Sequence, residues 1–315
     1  MIDSQRVNSR KQTTNDRQFH IPFGHSNSPY DSESISVDSL ENFLPPKRKP
    51  NCKDYIPFAN VPLWNQFGEG SFYSIAENMF IDYIIDKYSE TGVCAINGGI
   101  QFLYDKIRYN YYFPQEIDTC LSDSKINIIM MPLDFQSKEN ELHANMVIIN
   151  KYFKTIEVFD PLGSAYHTYM DDIYGKTIKA ILFNSSKILE NEYTFLSYEQ
   201  TCPGYGFQFI EALQKPLIQK IGTSLPFFSK YFKDLGGYCI FWTLFITELR
   251  IKYYNKSLLY IQNKYIEKYN KNPKKFYDFI RNYVGYLTSK LETDNLWYEY
   301  PHKNRGSKIN ATYVL

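Results

Sequence analysis

The chain has 315 residues, a formal net charge of +1 and five cysteines. This length can bury a substantial core without disulfide bonds, and the near-neutral charge provides no field to hold a phosphate backbone, so a dedicated nucleic-acid binder is disfavoured. The cysteines are odd in number, scattered and without a CxxC pair, which speaks against a disulfide framework or a zinc module and indicates a reducing, intracellular compartment.

The N-terminal part is predicted to be a tail followed by helices. Residues 1–50 are polar and end in Pro-Pro-Lys-Arg-Lys-Pro, so they bury too little apolar surface to order and are expected to form a disordered tail. Neither a signal peptide nor eighteen successive apolar residues occur, so no membrane association is expected. Apolar residues at helical spacing predict a helix over Phe72–Tyr88, and a second helix is expected over Gly98–Tyr109. Residues 51–120 are therefore predicted to be a helical accessory region.

The middle of the chain is predicted to be an α+β core over residues 121–250, followed by a helical extension over 251–315. Short apolar runs bounded by polar residues predict three successive strands, at Ile126–Met131, Asn145–Asn150 and Thr155–Phe159. Helices are predicted over Asp171–Ile188, from Gly206 to Leu213, over the nearly all-apolar Cys239–Ile251, and over Leu258–Tyr269 and Pro273–Leu291.

A histidine and an aspartate flank the second and third predicted strands. If the two strands form a hairpin with the two-residue turn Lys151-Tyr152, His143 lies directly opposite Asp160. Opposed residues have Cβ atoms about 4.5–5.5 Å apart, which allows an imidazole–carboxylate hydrogen bond. Lys-Tyr is not a favoured two-residue turn, so a longer loop or a shifted register stays open, and a shift by one residue would separate the pair.

Cys239 is the candidate nucleophile for this pair. It follows Gly236-Gly237 and begins the apolar helix, where the helix dipole and a nearby imidazolium would both favour the thiolate. Each residue also has a plain structural interpretation: Cys239 as core, His143 as a strand-end residue, and Asp160 before Pro161 as a turn former. Cys202, beside Pro203, is a second and lower-ranked nucleophile candidate.

Three segments resemble the adenain-like and SUMO-protease-like cysteine peptidases over about residues 121–250. They are His143-Ala-Asn-Met-Val-Ile-Ile-Asn, Ile156-Glu-Val-Phe-Asp160-Pro-Leu-Gly163 and Gly237-Tyr-Cys239-Ile-Phe-Trp242. The resemblance implies a papain-like core in which His143 is the general base, Asp160 orients it and Cys239 attacks. It also implies a glutamine in the oxyanion hole, for which Gln208 is the best counterpart, and a Trp242 packed beneath the site.

Two features depart from that family pattern. Ala144 stands where the family has an aromatic residue after the histidine. Gln208 lies 31 residues before Cys239, whereas the family glutamine lies only a handful of residues before the cysteine. The segment between them would have to loop out and return.

The resemblance implies an endopeptidase that cleaves a ubiquitin-like tail or a viral precursor protein after small, Gly-type residues. Its partner would be a protein substrate, with nucleic acid at most a weak activator, and it would need no metal or organic cofactor. A large DNA virus is a conceivable source. Two alternatives stay open: an acyltransferase that uses the same triad, and a catalytically silent protein-binding module on this fold.

Overall fold

The computed structural model describes residues 80–96, 99–103, 106–109, 113–136, 142–166, 174–213, 238–280, 283, 287 and 312–314. The predicted tail over residues 1–50 lies outside these ranges. Two predicted helices are described only in part: Phe72–Tyr88 from residue 80, and Pro273–Leu291 mainly up to residue 280. The fold class is α+β, as predicted, because the described part of the chain combines one mixed sheet with several helices.

One mixed sheet forms the centre of the described fold. Its eight strands are β1 Val93–Ala95, β2 Ile100–Leu103, β3 Lys106–Tyr109, β4 Ile128–Gln136, β5 Leu142–Asn150, β6 Thr155–Phe159, β7 Thr194–Leu196 and β8 Thr312–Val314. Their order is β7-β6-β5-β4-β2-β3-β8, and β1 pairs with β4. The predicted succession of three strands is confirmed as the antiparallel β4, β5 and β6.

Nine α-helical segments are described, in addition to short 3-10 helices at Ser89–Thr91 and Ser164–Tyr166. They are α1 (80–87), α2 Phe113–Ser122, α3 Lys176–Ser185, α4 Lys187–Glu192, α5 Tyr198–Thr201, α6 (207–213), α7 Cys239–Lys252, α8 Leu258–Asn270 and α9 (273–280). Every residue of α7 from Cys239 to Ile251 is buried, as its composition predicts, and Thr243 ties it to the sheet by donating to the carbonyl of Ala144 at 3.1 Å. None of the helices in the described ranges combines the length and apolarity needed to cross a bilayer.

The predicted helix at Gly98–Tyr109 is wrong. The structure has the antiparallel strands β2 and β3 there, and β2 runs parallel to β4. The buried side chains Ile100 and Phe102 alternate with the less buried Gln101, which is the two-residue period of a strand. Gly99 has φ +50°, and a Cβ there would lie 2.1 Å from the Pro132 carbonyl oxygen, so only glycine fits this turn. Because β1 and β2 both pair with β4, the sheet crosses the predicted boundary at residue 120.

The sequence analysis also missed a disulfide bond. Cys94 of β1 is bonded to Cys120 of α2, contrary to the expectation drawn from the cysteine count. The bond connects an edge of the sheet to a flanking helix. Cys202 and Cys239 are buried and form no disulfide bond, and Cys52 lies outside the described residues.

The predicted helix at Asp171–Ile188 is divided in two. Ser186 has extended backbone angles and separates α3 from α4, and its side chain accepts the Leu189 N–H to cap α4. The chain then enters β7 and α5, which the sequence analysis did not predict.

A buried ion pair anchors the end of α7 to β6. The guanidinium of Arg250 donates to both carboxylate oxygens of Glu157, at 2.7 Å each, and both side chains are almost fully buried. A third nitrogen of Arg250 donates to the carbonyls of Tyr253, Tyr254 and Lys256. This arginine therefore also holds the turn that follows α7.

A second buried carboxylate, Glu248 of α7, connects residues that are far apart in sequence. Glu248 is fully buried and accepts from Lys87 at 2.6 Å, from the hydroxyl of Tyr88 at 2.8 Å and from the hydroxyl of Tyr283 at 2.6 Å. Burial, together with the Glu248 charge, raises the pKa of Tyr283 well above its ordinary value, so its hydroxyl remains a donor. The three donors compensate the charge that the helix buries.

Candidate active site

The β5–β6 hairpin sets the positions of His143 and Asp160. Met146 lies opposite Phe159 and Asn150 opposite Thr155, so the turn has four residues and the predicted two-residue turn is wrong. The Asn150 side chain accepts the Phe153 N–H inside this turn, and Lys154 takes a left-handed conformation with φ 53°. The register therefore differs by two residues from the predicted one. A shift of two keeps every side chain on its predicted face, which is why the predicted pair still meets.

His143 and Asp160 are directly hydrogen-bonded. The Nε2 atom of His143 lies 2.8 Å from Oδ2 of Asp160. The Asp160 carboxylate is fully buried, and its other oxygen accepts the Leu162 N–H at 2.6 Å. The His143 side chain is 21% exposed. The carboxylate is thus fixed at both oxygens, while the imidazole keeps access to the surface.

The electrostatics of this pair favour a charged imidazole. Burial alone would lower the pKa of His143, but the Asp160 charge and hydrogen bond, with a smaller contribution from Cys239, raise it well above 6.5. The Cys239 side chain lies close enough to the imidazole to contribute to this rise in pKa. Since Nε2 is engaged by Asp160, Nδ1 is the ring nitrogen left to interact with a thiol. The arrangement can form a thiolate–imidazolium pair.

Cys239 is the first residue of α7, and it is only 8% exposed. The first N–H groups of a helix have no acceptor within the helix, and here no side chain caps them at Tyr238. An anion that forms at the Cys239 sulfur or beside it would meet these N–H groups and the positive end of the helix dipole. The structure therefore gives the predicted nucleophile a local environment that stabilises negative charge.

Gln208 is held against the turn that carries Asp160. We name residues Asp160–Gly163 the Asp160 turn and residues Cys202–Gln208 the Gln208 loop. The Gly206 N–H donates to the Leu162 carbonyl at 2.8 Å and the Gln208 N–H to the Pro161 carbonyl at 2.9 Å. Two further backbone bonds, from Ser164 and Ala165 to Pro203 and Gly204, continue this pairing.

This close approach depends on two glycines. Gly163 has φ +94°, and a Cβ there would lie 2.3 Å from the Gly206 nitrogen. A Cβ at Gly206 would lie 2.3 Å from the Pro161 carbonyl oxygen. Any larger residue at either position would push the Gln208 loop away from the Asp160 turn.

The start of α6 also lies against the start of α7. The ring of Phe207 lies 5.4 Å from that of Trp242, one helical turn after Cys239. The helix that carries Gln208 therefore packs against α7, although 31 positions separate Gln208 from Cys239 in sequence. Most of the residues between them lie outside the described ranges. The Oε1 atom of Gln208 is buried and has no hydrogen-bond partner among the described residues.

Trp242 and Cys202 are both core residues. Trp242 is fully buried and packs against Phe207, Phe245 and Phe276. Cys202 is 2% exposed, and its sulfur accepts the Asp160 N–H at 3.4 Å. Cys202 therefore supports the Asp160 turn, which favours a structural role over that of a nucleophile.

The sequence analysis missed one residue near the site. The last paired residues of β5 and β6 are Met146 and Phe159, so the next pair in the same register is Asn145 and Asp160. Asn145 is fully buried, and by strand alternation it shares a face with His143. The signal was present, since a polar residue interrupts an otherwise apolar strand two positions after the histidine. Within the described residues, no group of three or more His, Cys, Asp or Glu side chains could hold a metal ion.

Comparison with known proteins gives one distant relative. The chain is 25% identical over 197 residues to an ankyrin repeat protein of Acanthamoeba polyphaga mimivirus, a match that covers 60% of this chain and 24% of that protein. No protein family and no solved structure matches the chain. Ankyrin repeats are stacked pairs of helices with a period of about 33 residues, whereas the described part of this chain is built around a sheet. The relative's name thus refers to an architecture that the described residues do not have.

Proposed function

We propose that the protein is a cysteine peptidase with a papain-like core of the adenain-like and SUMO-protease-like kind. The observation that carries the proposal is the hydrogen bond between His143 and Asp160, with Cys239 near the same imidazole and at the start of a buried helix. These three residues come from two strand ends and a helix that are distant in sequence. The remaining elements of the site, described above, fit the same reaction.

The proposed reaction proceeds through a thioester. The Cys239 thiolate attacks the carbonyl carbon of the scissile peptide bond, and the backbone N–H of Cys239 and the amide of Gln208 stabilise the oxyanion. The intermediate collapses as His143 donates its proton to the leaving amine. His143 then takes a proton from water, which attacks the thioester, releases the acid and restores the Cys239 sulfur. Asp160 keeps the imidazole oriented throughout.

The proposed substrate is a protein, either a ubiquitin-like tail or a viral precursor, cut after small Gly-type residues. This part of the proposal depends on the family resemblance of the three site segments. The mimivirus relative supports a viral origin, and with it an intracellular site of action. The proposed reaction needs no metal or organic cofactor, because the thiolate and the imidazolium supply the nucleophile and the acid.

The first test is thiol labelling of the purified protein with an iodoacetamide probe between pH 5 and 9. Wild type is compared with Cys239→Ser, His143→Ala and Cys202→Ser, and the labelled peptide is identified by mass spectrometry. We expect Cys239 to dominate labelling near neutral pH and to slow by at least tenfold in His143→Ala. Cys202→Ser is the matched control, because it removes the second buried thiol while the serine oxygen can still accept the Asp160 N–H. Equal labelling of wild type and His143→Ala would contradict the proposal.

A substrate assay then distinguishes the peptidase from the alternatives. A fluorogenic peptide that ends in Gly-Gly should be cleaved by wild type and not by Cys239→Ser. A Cys239 thioester that transfers to an added amine instead of water would favour the acyltransferase. A reactive Cys239 without turnover of any acyl substrate would favour the protein-binding module.

A further inference from the structure

Three polar side chains near the site carry buried atoms that lack hydrogen-bond partners among the described residues. Both amide atoms of Asn145 are unpartnered, as are Nε1 of Trp242 and Oε1 of Gln208. Asn145 and Trp242 are fully buried. Eight buried atoms of this kind occur in the described residues, and these three side chains hold four of them. Each such atom costs roughly 1–3 kcal/mol of stability, so their concentration at one place requires an explanation.

One side of this region runs from the sheet to the Gln208 loop. Asn145 lies opposite Asp160 in the strand register. Pro161 follows Asp160, and its carbonyl accepts the Gln208 N–H at 2.9 Å. Asn145 and Gln208 are therefore both neighbours of the Asp160 turn.

The other side runs through α7. The Phe207 ring, adjacent to Gln208, lies 5.4 Å from that of Trp242. Thr243, adjacent to Trp242, donates to the carbonyl of Ala144, which precedes Asn145. The contacts thus connect the four segments that carry or adjoin the three side chains, namely β5, the Asp160 turn, α6 and α7.

The unpartnered atoms are complementary. The indole N–H of Trp242 and the amide N–H groups of Asn145 are donors, and the carbonyl oxygens of Asn145 and Gln208 are acceptors. A water molecule has two donor and two acceptor sites and is stable in a buried space with two to four polar partners. One water can therefore accept from Trp242 and Asn145 and donate to Gln208.

We propose that Asn145, Trp242 and Gln208 form one buried network around an internal water, and that the network sets the orientation of the Gln208 amide. With Oε1 of Gln208 held toward Trp242, its Nε2 points toward the oxyanion. With the amide reversed, the carbonyl oxygen would face the oxyanion and repel it. Asn145 and Trp242 are thus positioning residues that act through Gln208. This catalytic role rests on the proposed peptidase function, while the network itself does not.

The network is tested by NMR on full-length ¹⁵N-labelled protein. The Trp242 indole N–H is assigned as the signal lost in Trp242→Phe. In a rotating-frame Overhauser experiment, we expect this N–H to show a cross-peak to a bound water. We expect the Asn145→Leu substitution to remove that cross-peak. A Trp242 indole without a water cross-peak, unchanged by Asn145→Leu, would overturn the network. This result does not depend on whether the protein has peptidase activity.

The positioning role is tested by kinetics on the Gly-Gly peptide. Asn145→Leu and Trp242→Phe should each lower kcat by about tenfold to 100-fold, below the loss expected for removing an oxyanion donor, with KM changed less than twofold. Neither substitution should lower kcat further in a Gln208→Ala background, because its effect passes through Gln208. Phe279→Leu is the control, since Phe279 packs against Trp242 without a polar group. Additive losses in the Gln208→Ala background, or an equal loss of kcat in Phe279→Leu, would overturn the role.

Discussion

Gly206→Ala is the substitution that most directly tests how the site is held together. A Cβ at Gly206 would lie 2.3 Å from the Pro161 oxygen, 2.6 Å from the Gly163 nitrogen and 2.8 Å from the Leu162 carbonyl carbon. All three obstructing atoms belong to the backbone, so no side-chain rotation can relieve the contact. Gly204→Ala is the matched control two residues away, because a Cβ there has no atom within 4 Å.

The expected loss follows from two effects. Overpacking against atoms that cannot move aside costs about 1–3 kcal/mol. Moving the Gln208 loop away also weakens the Gly206–Leu162 and Gln208–Pro161 hydrogen bonds, worth about 0.5–1.5 kcal/mol each. We therefore expect Gly206→Ala to lower the free energy of unfolding by about 3 kcal/mol. Gly204→Ala should leave it within about 1 kcal/mol and can raise it slightly, because alanine restricts the unfolded chain.

Urea denaturation followed by circular dichroism measures both variants, and the Cys239 alkylation rate reports the site in the folded protein. Gly206→Ala should also slow alkylation, since the Asp160 turn orients His143. Equal stabilities for Gly206→Ala and Gly204→Ala would refute the argument that this loop contact holds the site.

Two other predictions concern charges. The folded-state pKa of His143 lies well above 6.5, so its stabilising contribution is complete below about pH 6.5 and is lost as the pH rises through that folded-state pKa. Urea titrations should show a larger stability gap between wild type and His143→Gln at pH 6 than at pH 9, and a gap that widens with pH would contradict this. Arg250→Met strands the buried Glu157 charge and should cost about 3–5 kcal/mol in the same assay. Lys264→Met, in an exposed pair, should change stability by less than about 1 kcal/mol, and similar losses in both variants would refute the reasoning.

The elements that the sequence predicts well are those with a strong and long hydrophobic signal. Strands β4–β6 and helix α7 are of this kind, because each is an apolar run with polar boundaries. The length of the hairpin turn was harder to predict. It depends on the hydrogen bond that the Asn150 side chain accepts from Phe153 and on the left-handed conformation of Lys154. The His143–Asp160 pair still forms as predicted, because a register shift by an even number of residues leaves each side chain on the same face of the sheet.

The elements that the sequence analysis missed depend on tertiary contacts. Strands β1 and β2 have three and four residues, and they gain their pairing from β4 rather than from their own pattern. The Cys94–Cys120 bond and the position of Asn145 opposite Asp160 likewise appear only once the register is known. The placement of Gln208 follows from two backbone bonds to the Asp160 turn, which span 44 and 47 residues in sequence, and no local pattern encodes them.

The three donors to Glu248 bear on how small a folded fragment of this protein can be. Trimming the chain to residues 121–250 would delete Lys87, Tyr88 and Tyr283 and leave a carboxylate in the middle of α7 without a donor among those three. An uncompensated buried charge costs several kcal/mol, comparable to the whole stability of a small domain. The minimal unit therefore spans at least residues 87–283. A proteolytic cut that preserves the fold therefore has to fall outside that span, or the two resulting fragments have to stay bound to each other.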